Sequence, residues 1–146
     1  MRKINYIVVH CSATREGCTL TSEALEAEHR RRGFRTTGYH YYIRRDGTVL
    51  GTRSLELRGA HCRGHNKYSI GICYEGGLDA RGNPKDTRTP EQRSALHLLV
   101  YQLLQQFRNA RVCGHRDLSP DLDGDGKVEP REWVKQCPCF EVSKEF

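Results

Sequence analysis

No apolar run in this sequence approaches the roughly 18 residues that cross a bilayer. The longest, at residues 6–9 and 98–101, are the size of a strand or a helix turn, so no membrane insertion is expected. The start, Met1-Arg2-Lys3-Ile4-Asn5, lacks the apolar core and small-residue cleavage site of a secretory leader. Synthesis in the cytoplasm without a signal peptide is the expectation. Internal repeats, low-complexity tracts and linkers are missing too, and residues 1–146 read as a single domain. An even cysteine count is also lacking. The seven cysteines, Cys11, Cys18, Cys62, Cys73, Cys113, Cys137 and Cys139, cannot all pair within one chain, which weakens a disulfide framework. Most are expected as buried thiols, with one or two held as metal thiolates. Negative charge is the minority: 24 Lys+Arg stand against 18 Asp+Glu, a net +6 that points to an anionic partner, either nucleic acid or an acidic cell-surface polymer. No helix-turn-helix or aromatic stacking motif accompanies Arg30-Arg31-Arg32, so that run reads as a solvated helix end and nucleic acid is not the expected partner.

What is there alternates between strand and helix signals. Ile4-Asn5-Tyr6-Ile7-Val8-Val9-His10 is β-branched and aromatic, a buried strand ending in a polar histidine. Residues 21–32 read as a helix, with Thr21 or Ser22 as N-cap, basic residues at its end and Gly33 beyond. Asp46-Gly47 between residues 39–45 and 48–52 predicts a β-hairpin. Residues 69–74 form another strand. Thr89-Pro90-Glu91-Gln92 supplies a capping box for a helix to about residue 108, and a short strand at 110–113 leads into Gly114-His115. The expected class is α/β (α+β), with a central mixed sheet flanked by helices.

Seven histidines and seven cysteines invite a search for metal ligands, yet no local motif such as H-E-x-x-H is present. His10 and His115 both stand at strand ends, where a side chain leaves the core. Together with Cys137 they make a two-His, one-Cys set with one position open, as suits catalytic zinc. Spacing alone does not bring the three together, and each histidine taken singly fits a hydrogen-bonded structural role.

Five motifs occur in one order: His10-Cys11-Ser12-Ala13-Thr14; Gly38-Tyr39-His40-Tyr41-Tyr42-Ile43 before Arg45-Asp46-Gly47; Ser69-Ile70-Gly71-Ile72-Cys73; Gly114-His115-Arg116-Asp117; and Lys135-Gln136-Cys137-Pro138. Over residues 4–140 this set resembles the zinc-dependent N-acetylmuramoyl-L-alanine amidases of the phage T7 lysozyme type, relatives of the peptidoglycan recognition proteins. The resemblance implies zinc ligands at His10, His115 and Cys137, catalytic roles for Tyr39 and Lys135, and a groove-lining place for His61, which reads equally as a substrate contact or as a structural histidine of a capped loop. It implies peptidoglycan as partner, a monomer, and action on the cell wall after release. The alternative is a non-catalytic peptidoglycan-binding module. Cys137 discriminates, because binding-only relatives usually lack that ligand. Some T7-type relatives also inhibit an RNA polymerase, but no residue here marks such a surface. Tyr39 reads equally as sheet packing and Lys135 as a solvated residue when each is taken by itself. His29, His40 and His97 are expected in packing or surface roles.

Between His115 and Cys137 the chain departs from the compact phage enzymes. Residues 121–132 match the calcium-loop pattern D-x-D-x-D-G-x5-E, with Asp121, Asp123, Asp125 and Glu132 as carboxylate ligands and Lys127 offering its carbonyl. Residues 118–132 thus read either as a calcium-loop-like insertion or as an acidic surface loop. Pro120 removes the incoming helix of an EF-hand. Pro130 is expected to open a short helix over residues 130–136 that carries Lys135 towards the zinc ligands.

Overall fold

The computed structural model describes residues 2–146. In chain order its elements are β1 (Tyr6–Cys11), β2 (Thr14–Arg15), α1 (Ser22–Arg31), β3 (Tyr41–Ile43), β4 (Val49–Gly51), β5 (Ser69–Tyr74), β6 (Gly77–Leu78), α2 (Pro90–Gln106) and β7 (Arg111–Gly114). Five strands make one mixed sheet in the order β4-β3-β5-β1-β7, parallel except for the β3–β4 hairpin. The short strands β2 and β6 form a separate parallel pair that the sequence reading did not foresee.

Side-chain alternation along the strands creates two faces. Ile7 and Val9 of β1, Ile43 of β3 and Ile70, Ile72 and Tyr74 of β5 share a core with Leu96, Leu99, Val100 and Leu103 of α2. Their neighbours Tyr42 and Cys73 pack instead with Leu25 of α1. His10 lies one residue beyond Val9 on β1, so it belongs to the α1 side of the sheet.

Local chemistry fixes both helices. Thr21 is the N-cap of α1, its hydroxyl accepting from Ala24 N at 3.1 Å, and Gly33 follows the helix at φ +94°. At α2 the Thr89 hydroxyl accepts from Gln92 N and the Gln92 side chain accepts from Thr89 N, both at 3.0 Å. The buried Gln92 amide also donates to the carbonyls of Ile43 and Glu75, tying α2 to the ends of β3 and β5.

The helix expected over residues 130–136 does not form. A single 3-10 turn spans Pro130–Glu132, and Trp133 is already extended at ψ 125°. Glu132 turns its carboxylate back onto the amides of Glu129, Leu122 and Asp123, while Val134 N donates to Ser119 Oγ at 3.1 Å rather than to a carbonyl one helical turn behind. Lys135 and Cys137 are therefore carried by irregular chain.

Candidate active site

Parallel strands end in one direction, so β1, β5 and β7 bring their C-terminal residues to the same edge, where ligands of open α/β sheets gather. His10 is buried near the end of β1, and His115 follows β7 directly. Their rings stand 4.6 Å apart between centroids. Cys137 arrives on returning chain held at three points: its carbonyl accepts from Arg116 N (2.9 Å), its Sγ accepts from Cys11 N (3.1 Å), and the Pro138 carbonyl accepts from the Tyr74 hydroxyl (2.6 Å). Gly114 makes that return possible, since a Cβ there would come within 2.7 Å of Pro138 Cδ. One ligand atom from each of His10, His115 and Cys137 then lies within 4.8 Å of the others.

A cavity of about 240 Å³ opens on these three residues, and Tyr39 and Lys135 also line it. Burial, joined by the nearby His61, His115 and Lys135, holds His10 well below the usual imidazole range, so its ring stays neutral with a lone pair to give. Burial also pushes Tyr39 well above the usual phenol range, with the Cys73 thiol adding to the effect, so its hydroxyl keeps its proton. Its ring centroid is 5.0 Å from that of His10, and it packs against Leu25, Tyr42 and Cys73. Lys135 is exposed at the cavity rim.

His61 is buried, and both of its ring nitrogens have partners inside the protein: Nδ1 is 2.9 Å from His10 Nε2, and Nε2 is 3.1 Å from Ser69 Oγ. The remaining histidines are structural or superficial. His29 Nδ1 accepts from Gly38 N, His40 Nδ1 accepts from Gly71 N, and His97 faces Glu145 at the surface. None of the seven cysteines is disulfide-bonded; Cys11, Cys62 and Cys73 are buried and Cys18 is exposed.

Sequence reasoning missed a basic groove beside the cavity. It measures about 610 Å³ and is lined by Arg32, Arg53, Arg58 and Arg63 together with His115 and Lys135. Among the described residues, none of these arginines pairs with a carboxylate. Its traces in the sequence are the Arg30-Arg31-Arg32 run, which reads as a solvated helix end, and the arginines around residue 58, which follow neither helical nor strand period.

A second cluster, made of carboxylates, contributes no residue to the cavity lining. Ligand atoms of Asp121, Asp123, Asp125 and Glu132 come within 4.8 Å of one another, with Glu132 buried and the aspartates exposed. Asp121 accepts from the amides of Gly124 (3.0 Å) and Gly126 (2.7 Å), and Asp125 accepts from Lys127 N (2.9 Å). Gly126 takes the sharp turn at φ +84°. Arg131 pairs with Asp123 and Glu129.

The sequence profile of the N-acetylmuramoyl-L-alanine amidase family matches residues 1–138. The endolysin of Klebsiella phage KP32 is 35% identical over 143 residues, covering 98% of this chain and 85% of the phage protein. The endolysin of Escherichia phage T7 is 33% identical over 138 residues, covering 94% and 82%. Among solved structures, the N-acetylmuramoyl-L-alanine amidase LysC from Clostridium intestinale superimposes with a TM-score of 0.76 at 26% identity, covering 99% of this chain and 82% of LysC. A match along nearly the whole chain, on a sheet whose strand ends gather the residues described above, shows that the chain belongs to the N-acetylmuramoyl-L-alanine amidases, enzymes that hydrolyse the amide between N-acetylmuramic acid and L-alanine in peptidoglycan.

Proposed function

We propose that this amidase works with one zinc ion held by His10, His115 and Cys137, and that Tyr39 and Lys135 are its catalytic side chains. The reading rests on the convergence of the three ligand atoms within 4.8 Å beside a cavity that Tyr39 and Lys135 also line. The donor set fits zinc: two imidazole nitrogens and a sulfur suit its borderline softness, and three protein ligands beside an open cavity leave the fourth position free. The Cys11 amide donates to Cys137 Sγ and so helps to fix the position of the sulfur.

When bound, zinc supplies Lewis acidity, polarising the amide carbonyl and lowering the pKa of water towards about 7. Lys135 holds fixed positive charge where negative charge develops on the carbonyl oxygen as water adds to the amide carbon. Tyr39, kept protonated by burial, orients water or carbonyl by hydrogen bonding rather than acting as the base. The C–N bond then breaks, leaving the carboxylate of the muramic acid and the free amino group of the stem peptide. The arginine groove gives an anionic wall polymer a complementary surface beside the reacting bond. In this reading the protein is a monomer; its likeness to phage endolysins supports action on the wall after release. Metal analysis of the purified protein, combined with release of stem peptides from sacculi, tests it. One zinc per chain is expected, with activity lost to a chelator and restored by zinc. Full activity in metal-free protein would overturn the reading.

We also infer that residues 118–132 are an insertion in a single amidase domain, 1–146, and bind calcium through Asp121, Asp123, Asp125, the Lys127 carbonyl and Glu132. The gathering of four carboxylates around a glycine turn supports this. Calorimetry at millimolar calcium is expected to detect binding, and no heat there would leave only an acidic turn.

A further inference from the structure

We propose that His61 is a positioning residue for His10: it accepts the N–H of His10 Nε2 and thereby aims Nδ1 of that ring at the metal. The inference rests on the zinc reading above. A neutral imidazole carries one N–H and one lone pair. His10 Nε2 lies 2.9 Å from His61 Nδ1, so the lone pair left for a metal is on Nδ1 and the proton sits on Nε2. His61 Nδ1 must then accept, which puts the His61 proton on Nε2, where it is donated to Ser69 Oγ at 3.1 Å. One directed chain, His10 to His61 to Ser69, thus fixes two tautomers and the orientation of the ligand ring, as outer partners of metal-bound histidines generally do.

The surrounding sequence is shaped to hold this ring. A Cβ on Gly59 would come 2.3 Å from His61 Cδ2, and one on Gly71 would come 2.6 Å from the same atom, so the imidazole fits only because both positions are glycine. Asn66 Oδ1 accepts from the amides of His61 and Cys62, both at 2.9 Å, and locks the turn that presents the ring. His10, His61 and Ser69 are all buried. A direct contact of His61 with substrate would require one of its nitrogens to abandon a bond it already makes.

The test compares zinc affinity, by competition with a chromogenic chelator, in full-length wild type, His61→Leu and His61→Asn. Leucine removes the acceptor; asparagine sets a carbonyl oxygen near the position of Nδ1. His61→Leu is expected to weaken zinc binding roughly 10- to 100-fold and lower kcat with little change in KM, while His61→Asn recovers most of the affinity. Leucine with wild-type zinc affinity and a raised KM would overturn the proposal in favour of a substrate contact. Should His61→Leu fail to fold, ¹⁵N imidazole NMR of the wild type decides. A proton on His10 Nε2 supports the proposal, and one on Nδ1 overturns it. Wild-type protein that takes up no zinc would instead bring down the metal reading itself, a result distinguishable from loss of affinity in the variant alone.

Discussion

His10 and Asp121 each open a set of side chains whose ligand atoms gather within 4.8 Å, and the two sets are held in opposite ways. The first is collected over long sequence distance. β1 and β7 set two histidines side by side through sheet register, and Cys137 is pinned to them by Tyr74, Arg116 and Cys11. The second is drawn from residues 121–132 alone, is exposed except at Glu132, and is held by the amides of its own turn. Geometry in the first set is a property of the core, because nothing there moves unless a strand end or the segment after Gln136 moves. In the second it is a property of local backbone, so changes stay local. Lys135 is the bridge, close after the acidic loop in sequence but on the cavity of the first set in space.

The largest expected effect tests that bridge. Lys135→Ala removes a charge at the cavity without touching a ligand, and kcat on sacculi should fall about 10²- to 10³-fold, as when other transition-state donors are removed. Zinc content should stay at the wild-type level. Unchanged turnover would assign Lys135 to the loop rather than to the chemistry.

Two glycines sharpen the comparison next. Gly114 has φ −88°, acceptable to any residue, but its missing Cβ is what admits Pro138. Gly114→Ala should therefore act by overpacking, costing about 1–3 kcal/mol in denaturant unfolding. It should weaken zinc binding too, because Pro138 is bonded to Cys137. Gly124 is the reverse case: φ is +71° and nothing lies within 4 Å of an added Cβ. Gly124→Ala should cost about 1 kcal/mol of backbone strain and leave zinc affinity alone. Equal zinc loss in both variants would erase the distinction between the regions.

The same contrast explains what the sequence made legible. His10 and His115 could be picked out because β-branched runs mark where strands stop, and α2 because its cap residues are specific. Cys137 could be set beside the two histidines as a ligand type, but spacing did not bring it to them, since its position depends on Gly114 yielding space to Pro138, which no spacing rule records. The helix expected over residues 130–136 failed because local propensity was read without knowing that Ser119 takes the Val134 amide. The bond between His61 and His10 was equally hidden: it depends on the β1–β5 register, which sets Val8 against Gly71. The arginine groove has no period, for its members come from loops and a helix end.

The smallest expected effect belongs to calcium. Exposed carboxylates crowded within 4.8 Å repel one another, and Arg131 offsets only part of that through Asp123 and Glu129. A cation that relieves the repulsion should stabilise the fold by mass action. For a weak loop with a dissociation constant of about 10⁻⁴–10⁻³ M, 1 mM free calcium gives roughly 0.4–1.4 kcal/mol. Asp121→Ala combined with Asp125→Ala should abolish the calcium-dependent rise in Tm and leave zinc bound. Activity should fall modestly, because Glu132 anchors the turn from which the chain runs to Lys135. Should calcium raise Tm equally in the double variant, the cation acts elsewhere. The acidic loop would then be held as its own hydrogen bonds already hold it, by backbone amides and Arg131.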